Sequence, residues 1–234
     1  MADSQEGRSL HALAEEAREK GDFAKSLEYT DRATLAYQKD QDYLGLAEIQ
    51  SSRQSTFKHL YRQTGDKIFL LLEKHSAIAA VEIAKRSGDK AALGIPYHNL
   101  GKYYFESEEY EKAARAFKKA IENLDNFPSN RHTRASVLAD IKGHQFAAEY
   151  HAGDKLALNR ALKTLHELET AQEQSTYNKN VWISGAHLRI AEMLLKDNRI
   201  VAKEHAKKAQ QIIKKDSRLV LRKKQLEKLN QLLM

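Results

Sequence analysis

The side chains best suited to chemistry in this chain are its ten histidines, and their spacing argues against most of what imidazoles can do. His166-Glu167 opens like the zinc motif H-E-x-x-H, but Thr170 stands where the second His belongs. No His has Glu three residues before it, so the E-x-x-H di-iron spacing is absent as well. His144 and His151 lie two helical turns apart and the others are dispersed, so they read as surface or half-buried imidazoles. Gly101-Lys102 lacks the frame of a phosphate-binding loop, because Pro96 replaces the first Gly and Tyr103 the Ser or Thr. G-x-G-x-x-G does not occur, and Ser and His content alone specifies no nucleophile–base pair. No catalytic residue, metal or cofactor is expected.

Composition narrows the alternatives. The 234 residues contain no Cys, which excludes disulfides, Cys-based zinc fingers, iron–sulfur clusters and thiol catalysis. Apolar residues make up 41% and charged residues 30%, which suits an elongated helical protein with a large surface. Two prolines and ten glycines give little support to an all-β fold. The opening MADSQEGRSL has no secretory pattern, and no apolar run approaches the ~18 residues of a membrane span, so a cytoplasmic location is expected. The net charge of +7 is local. From Lys196 onward 12 Lys and Arg face 4 Asp and Glu, whereas the preceding residues hold 27 against 28.

The elements that must position any site follow from a regular punctuation. Turn signals fall near Gly21, Gln41, Gly65, Gly88, Glu108, Ser129, Gly153, Ser175, Asp197 and Asp216. Every second one is 43 to 45 residues from the next, which is the mark of an internal repeat. Four glycines are followed directly by Asp, at Gly21, Gly65, Gly88 and Gly153. Gly readily takes the left-handed conformation that ends a helix, and Asp caps the start of the next. Between breaks the apolar spacing is helical, as in Leu158, Ala161, Leu162, Leu165 and Leu168. The pattern predicts an all-α single domain over 1–234. Its hairpins cover about 5–40, 41–87, 88–127, 129–174 and 176–214, followed by a basic helix over 216–234. Pro96 predicts a kink or a late helix start.

Tyr97, Leu100, Gly101, Tyr104, Ala113, Phe117 and Ala120 follow W-x2-L-G-x2-Y … A-x3-F-x2-A, with Tyr in place of Trp. On these residues the third hairpin resembles the tetratricopeptide repeat. The first hairpin resembles it through Leu13-Ala14, Ala17, Gly21-Asp22-Phe23 and Ala33, and the last through Ile190-Ala191, Ala202, Ala206 and Ala209. The ~44-residue period is similar to the long-repeat branch seen in kinesin light chains, G-protein-signalling scaffolds and bacterial peptide-sensing regulators. The resemblance implies a right-handed α-α superhelix lined inside by the first helix of each hairpin. Helical spacing leaves His11, Glu15 and Arg18, then His59 and Arg62, then Ile95, His98, Lys102 and Phe105 off the packing face. The resemblance places those faces on the concave surface, as a cationic, His-bearing wall with one exposed aromatic. His11 and Glu15 occupy the first two places of the Lys/Asn/Arg constellation that a carboxylate clamp requires.

The expected function is a non-enzymatic interaction module that takes a peptide or protein segment, acidic in character, in its groove. One alternative is a ligand- or peptide-responsive regulator acting through a partner. Another is a structural subunit that self-assembles through 216–234. In that segment Leu219, Leu226, Leu229 and Leu233 form a stripe with a capping start at Asp216 or Ser217. The stripe suits a terminal cap, a homodimer seam or a basic helix on an anionic surface. Nucleic acid is not the expected partner, because no aromatics follow Tyr177 and Trp182.

Overall fold

The computed structural model describes residues 3–128 and 134–234, and the turn expected at Ser129 lies outside them. Among the described residues the chain is all-α, with eleven α-helices, one short 3-10 turn and no strand. It divides into two compact units, residues 1–129 and 130–234.

The first unit holds α1 (Gln5–Glu19), α2 (Phe23–Lys39), α3 (Tyr43–Thr64), α4 (Lys67–Arg86), α5 (Gly94–Glu106) and α6 (Tyr110–Asn126). Its helices pack as hairpins α1–α2, α3–α4 and α5–α6, and α1, α3 and α5 also lie side by side. The second unit holds α7 (Ala135–His151), α8 (Ala157–Thr170), α9 (Thr176–Leu194), α10 (Arg199–Lys215) and α11 (Val220–Leu233). There α7 pairs with α8 and α9 with α10, α7 touches α9, and α11 lies on α9 and α10.

The breaks work as their residue types require. Gly21, Gly65, Gly88 and Gly153 all have positive φ, between 72° and 113°. The Asp after each then accepts a backbone N–H from two or three residues on: Asp22 from Lys25, Asp66 from Ile68, Asp89 from Ala91 and Asp154 from Leu156. At two further breaks the left-handed residue is not Gly but Gln41 (φ 55°) and Glu108 (φ 59°). After Asp89 the chain makes a 3-10 turn over Lys90–Leu93, and α5 starts late, at Gly94. Pro96 thus sits in a first turn, where its missing N–H costs nothing.

Small residues set the distance between paired helices. A Cβ on Gly101 of α5 would stand 2.6 Å from Phe117 of α6, and Phe117 is fully buried. In the fourth hairpin the corresponding glycine, Gly143, faces Thr164 and Arg189 instead of a ring. The C-terminal helix begins at Val220, later than the expected cap at Asp216 or Ser217. Asp216 is drawn into a turn instead, accepting the Arg218 backbone N–H and its guanidinium at 2.8 Å. Leu219, Leu226, Leu229 and Leu233 are all buried. The leucine stripe is used inside the second unit as a cap, so it is not an open seam.

Candidate functional site

The row α1–α3–α5 carries all nine residues that the sequence singles out, and it treats them unequally. Arg18 of α1 is buried, donating to Ser52 Oγ of α3 at 2.8 Å and lying 3.7 Å from Glu15. Arg62 of α3 is bound through Nε to Glu106 of α5 at 2.9 Å, with a second contact from Nη2. These arginines tie neighbouring first helices together, and the expected cationic wall loses much of its free charge to them. His98 is only 7% exposed and lies against Phe117, ring centroids 5.7 Å apart, because position 98 points into its own hairpin. His59 stacks on Phe23 with planes 2° apart, and His11 meets Tyr37 edge-on and lies 3.8 Å from Glu15. Lys102 donates to Asn99 at 3.3 Å, and Phe105 packs on Tyr110. Glu15 is exposed; His11, His59, Arg62, Ile95, Lys102 and Phe105 are half-buried. The accessible part of the row is therefore mixed in charge and partly aromatic.

Beneath it lies a polar cluster that the sequence reading overlooked. Glu73 of α4 is fully buried and accepts a 2.6 Å hydrogen bond from Gln54 Nε2 of α3, which also reaches the Asn99 carbonyl of α5. Burial raises the Glu73 carboxyl to about 7; Glu106 adds to the rise, while Lys58, the Gln54 bond and Arg62 oppose it. One sequence signal could have found it. Glu73 shares the small-residue stripe Ala77, Ala80 and Ala84, where a carboxylate is out of place.

The second unit repeats the use of arginine as a tie. Arg189 of α9 binds Asp140 of α7 at 2.5 Å and His144 at 2.7 Å, both from inside. Arg222 of α11 donates to the Val181 carbonyl of α9 at 3.2 Å. Nearby, the Nδ1 atoms of His187 and His205 stand 3.0 Å apart between α9 and α10. Burial pushes His187 down to about 4, helped by His205 and Lys208, and it lowers His205 in the same direction.

Residues 95–127 match the family model of the tetratricopeptide repeat. No curated protein matches the chain. Among solved structures, BtubC (BKLC) from P. vanneervenii is similar at 17% identity and a TM-score of 0.61, over 88% of this chain and 78% of that one. A Podosopora anserina putative kinesin light chain with nearly identical TPR-like repeats is similar at 12% identity and a TM-score of 0.55. That match covers 98% of this chain and 97% of the other. A single-substitution form of the same repeats gives 13% identity and a TM-score of 0.56, over 90% of this chain and 96% of that one. No helix among the described residues is long and apolar enough to cross a membrane. Residues 95–127 are thus matched as a tetratricopeptide repeat, and the hairpin order and these likenesses show an all-α fold of tetratricopeptide-like helical hairpins.

Proposed function

We propose that the chain is a non-enzymatic interaction module that binds a peptide or protein segment on the first-helix row of its first unit, and that the segment is acidic. The observation that carries this reading is the adjacency of α1, α3 and α5, which brings residues far apart in sequence onto one surface. His11, Glu15, His59, Arg62, Ile95, Lys102 and Phe105 supply its reachable side chains. Arg18 and His98 support the row from within, Arg18 through Ser52 and His98 through Phe117. Tetratricopeptide repeats generally serve protein–protein interaction, and rigid paired helices with a half-buried aromatic suit an extended ligand.

The test is fluorescence anisotropy with a labelled Glu/Asp-rich peptide carrying interspersed Leu, titrated with the whole chain. Lys102→Glu combined with Phe105→Ala is expected to weaken capture by about tenfold, or 1.4 kcal/mol, with helicity unchanged. Equal affinity in wild type and variant would sink the reading.

A further inference from the structure

The outer face of α4 differs from that of its counterparts in the same unit. Ile68, Leu71, Leu72 and Ile78 are 50%, 48%, 37% and 40% exposed. With His75 they follow at i, i+3, i+4, i+7 and i+10, a single stripe about 15 Å long at 1.5 Å per residue. The second helices of the neighbouring hairpins carry no such stripe. The exposed residues of α2 are chiefly Lys25, Glu28, Asp31 and Arg32, with Leu35 alone among large apolar side chains. Those of α6 are Lys112, Arg115, Lys119 and similar polar groups. The fold thus does not require apolar side chains here, and a contiguous aliphatic patch with a polar rim marks a contact surface.

Charge says what kind of partner covers it. Lys67, Lys74 and Lys85 run along one edge of the stripe at i, i+7 and i+18. Lys67 and Lys74 have no ion-pair or hydrogen-bond partner among the described residues. α4 holds no carboxylate free to answer them, since Glu73 is buried and Glu82 is taken by Lys85 at 2.8 Å. A second copy docked through the same helix leaves that row of lysines uncompensated. A lipid surface is a poorer fit as well, because α4 has no Tyr or Trp to sit at a membrane interface.

We infer that the Ile68–Leu71–Leu72–Ile78 stripe of α4 is a second docking surface, taking an amphipathic helix whose apolar face is edged by Asp and Glu. The complement is an aliphatic stripe against an aliphatic stripe, with acids along the edge that meets Lys67 and Lys74. This surface is independent of the first-helix row, because none of its residues belongs to α1, α3 or α5.

The probe is a fluorescein-labelled designed helical peptide, with Leu along one face and Glu along one edge, titrated with the whole chain. A matching peptide with Lys for Glu is run beside it. The first peptide binds and the second does not. Leu71→Ser with Ile78→Ser, both exposed and so compatible with folding, weakens binding by about tenfold or more. Lys67→Glu with Lys74→Glu reverses the preference between the two peptides. Equal binding of both peptides by the wild-type chain, or no effect of either double variant, overturns the proposal. So does flotation with phosphatidylserine vesicles, or a dimer in sedimentation, if the Leu71/Ile78 variant abolishes it. Lys102→Glu with Phe105→Ala leaves this binding unchanged, which separates its failure from that of the first-helix row.

Discussion

Glu73 Oε1 accepts a 2.6 Å hydrogen bond from Gln54 Nε2, while Glu73 Oε2 and Gln54 Oε1 are both buried without a partner. A proton on the carboxyl removes a charge that has a single hydrogen-bond donor to answer it, and gives the group a donor of its own among buried acceptors. The fold favours the neutral acid, in line with the raised carboxyl.

The sign of the pH effect follows. Unfolded, Glu73 ionises near 4.5, whereas folded it holds its proton to about 7. Its stabilising contribution is complete below pH 4.5 and is lost as pH rises to about 7, amounting to at most about 3 kcal/mol. Glu73→Gln, which keeps the shape and cannot ionise, is expected to exceed wild type in urea unfolding at pH 8. The gap should shrink towards pH 5; a gap constant with pH would count against the buried neutral acid.

The second unit is expected to respond in the opposite direction. His187 is neutral in the fold down to about pH 4, compared with an ordinary 6.5, so its contribution is complete above 6.5 and is lost on acidification. Burial, the His205 ring and Lys208 all act the same way, and they outweigh Glu169, an acid that faces His187 Nε2 at 3.8 Å. Ring-proton shifts of His187 should therefore stay flat from pH 7 to 5. A midpoint near 6.5 would contradict the packing.

Gly101→Ala tests the hairpin contact. Ala is favoured over Gly within a helix by about 1 kcal/mol, yet its Cβ would stand 2.6 Å from the Phe117 ring. Overpacking of a closed core typically costs about 1–3 kcal/mol, so the net change should be a loss of stability. Adding Phe117→Leu relieves the clash, and the double variant should lose less than the two separate changes sum to. Strict additivity in thermal unfolding would mean that the two sites do not touch.

Removing Leu219 to Met234 tests the cap. The deletion uncovers the faces of α9 and α10 that Leu219, Leu226, Leu229 and Leu233 now bury. A lower melting temperature and soluble aggregation are expected in light scattering. An unchanged melting temperature with a smaller oligomer would point to a seam instead.

Some of this was written locally enough to be read directly. Gly-Asp pairs stop and start helices through one backbone conformation and one side-chain bond, so Gly21, Gly65, Gly88 and Gly153 declare themselves in sequence. The Leu100-Gly101 and Ala113-Phe117 spacing is equally legible, because helical periodicity already sets which residues share a face. Gln41 and Glu108 also adopt positive φ, but at these two breaks no Gly announces it.

The candidate site was less legible, because charge and spacing do not say where a long side chain ends. Arg18, Arg62 and Arg189 look alike in sequence as exposed cations. Only the packing of first helices turns them towards Ser52, Glu106 and Asp140. His98 has helical spacing to Lys102 and Phe105, yet its ring lies against Phe117. Periodicity is a property of one helix and is determined by the sequence itself. Burial depends on which second helix covers which face, and only the tertiary structure decided that.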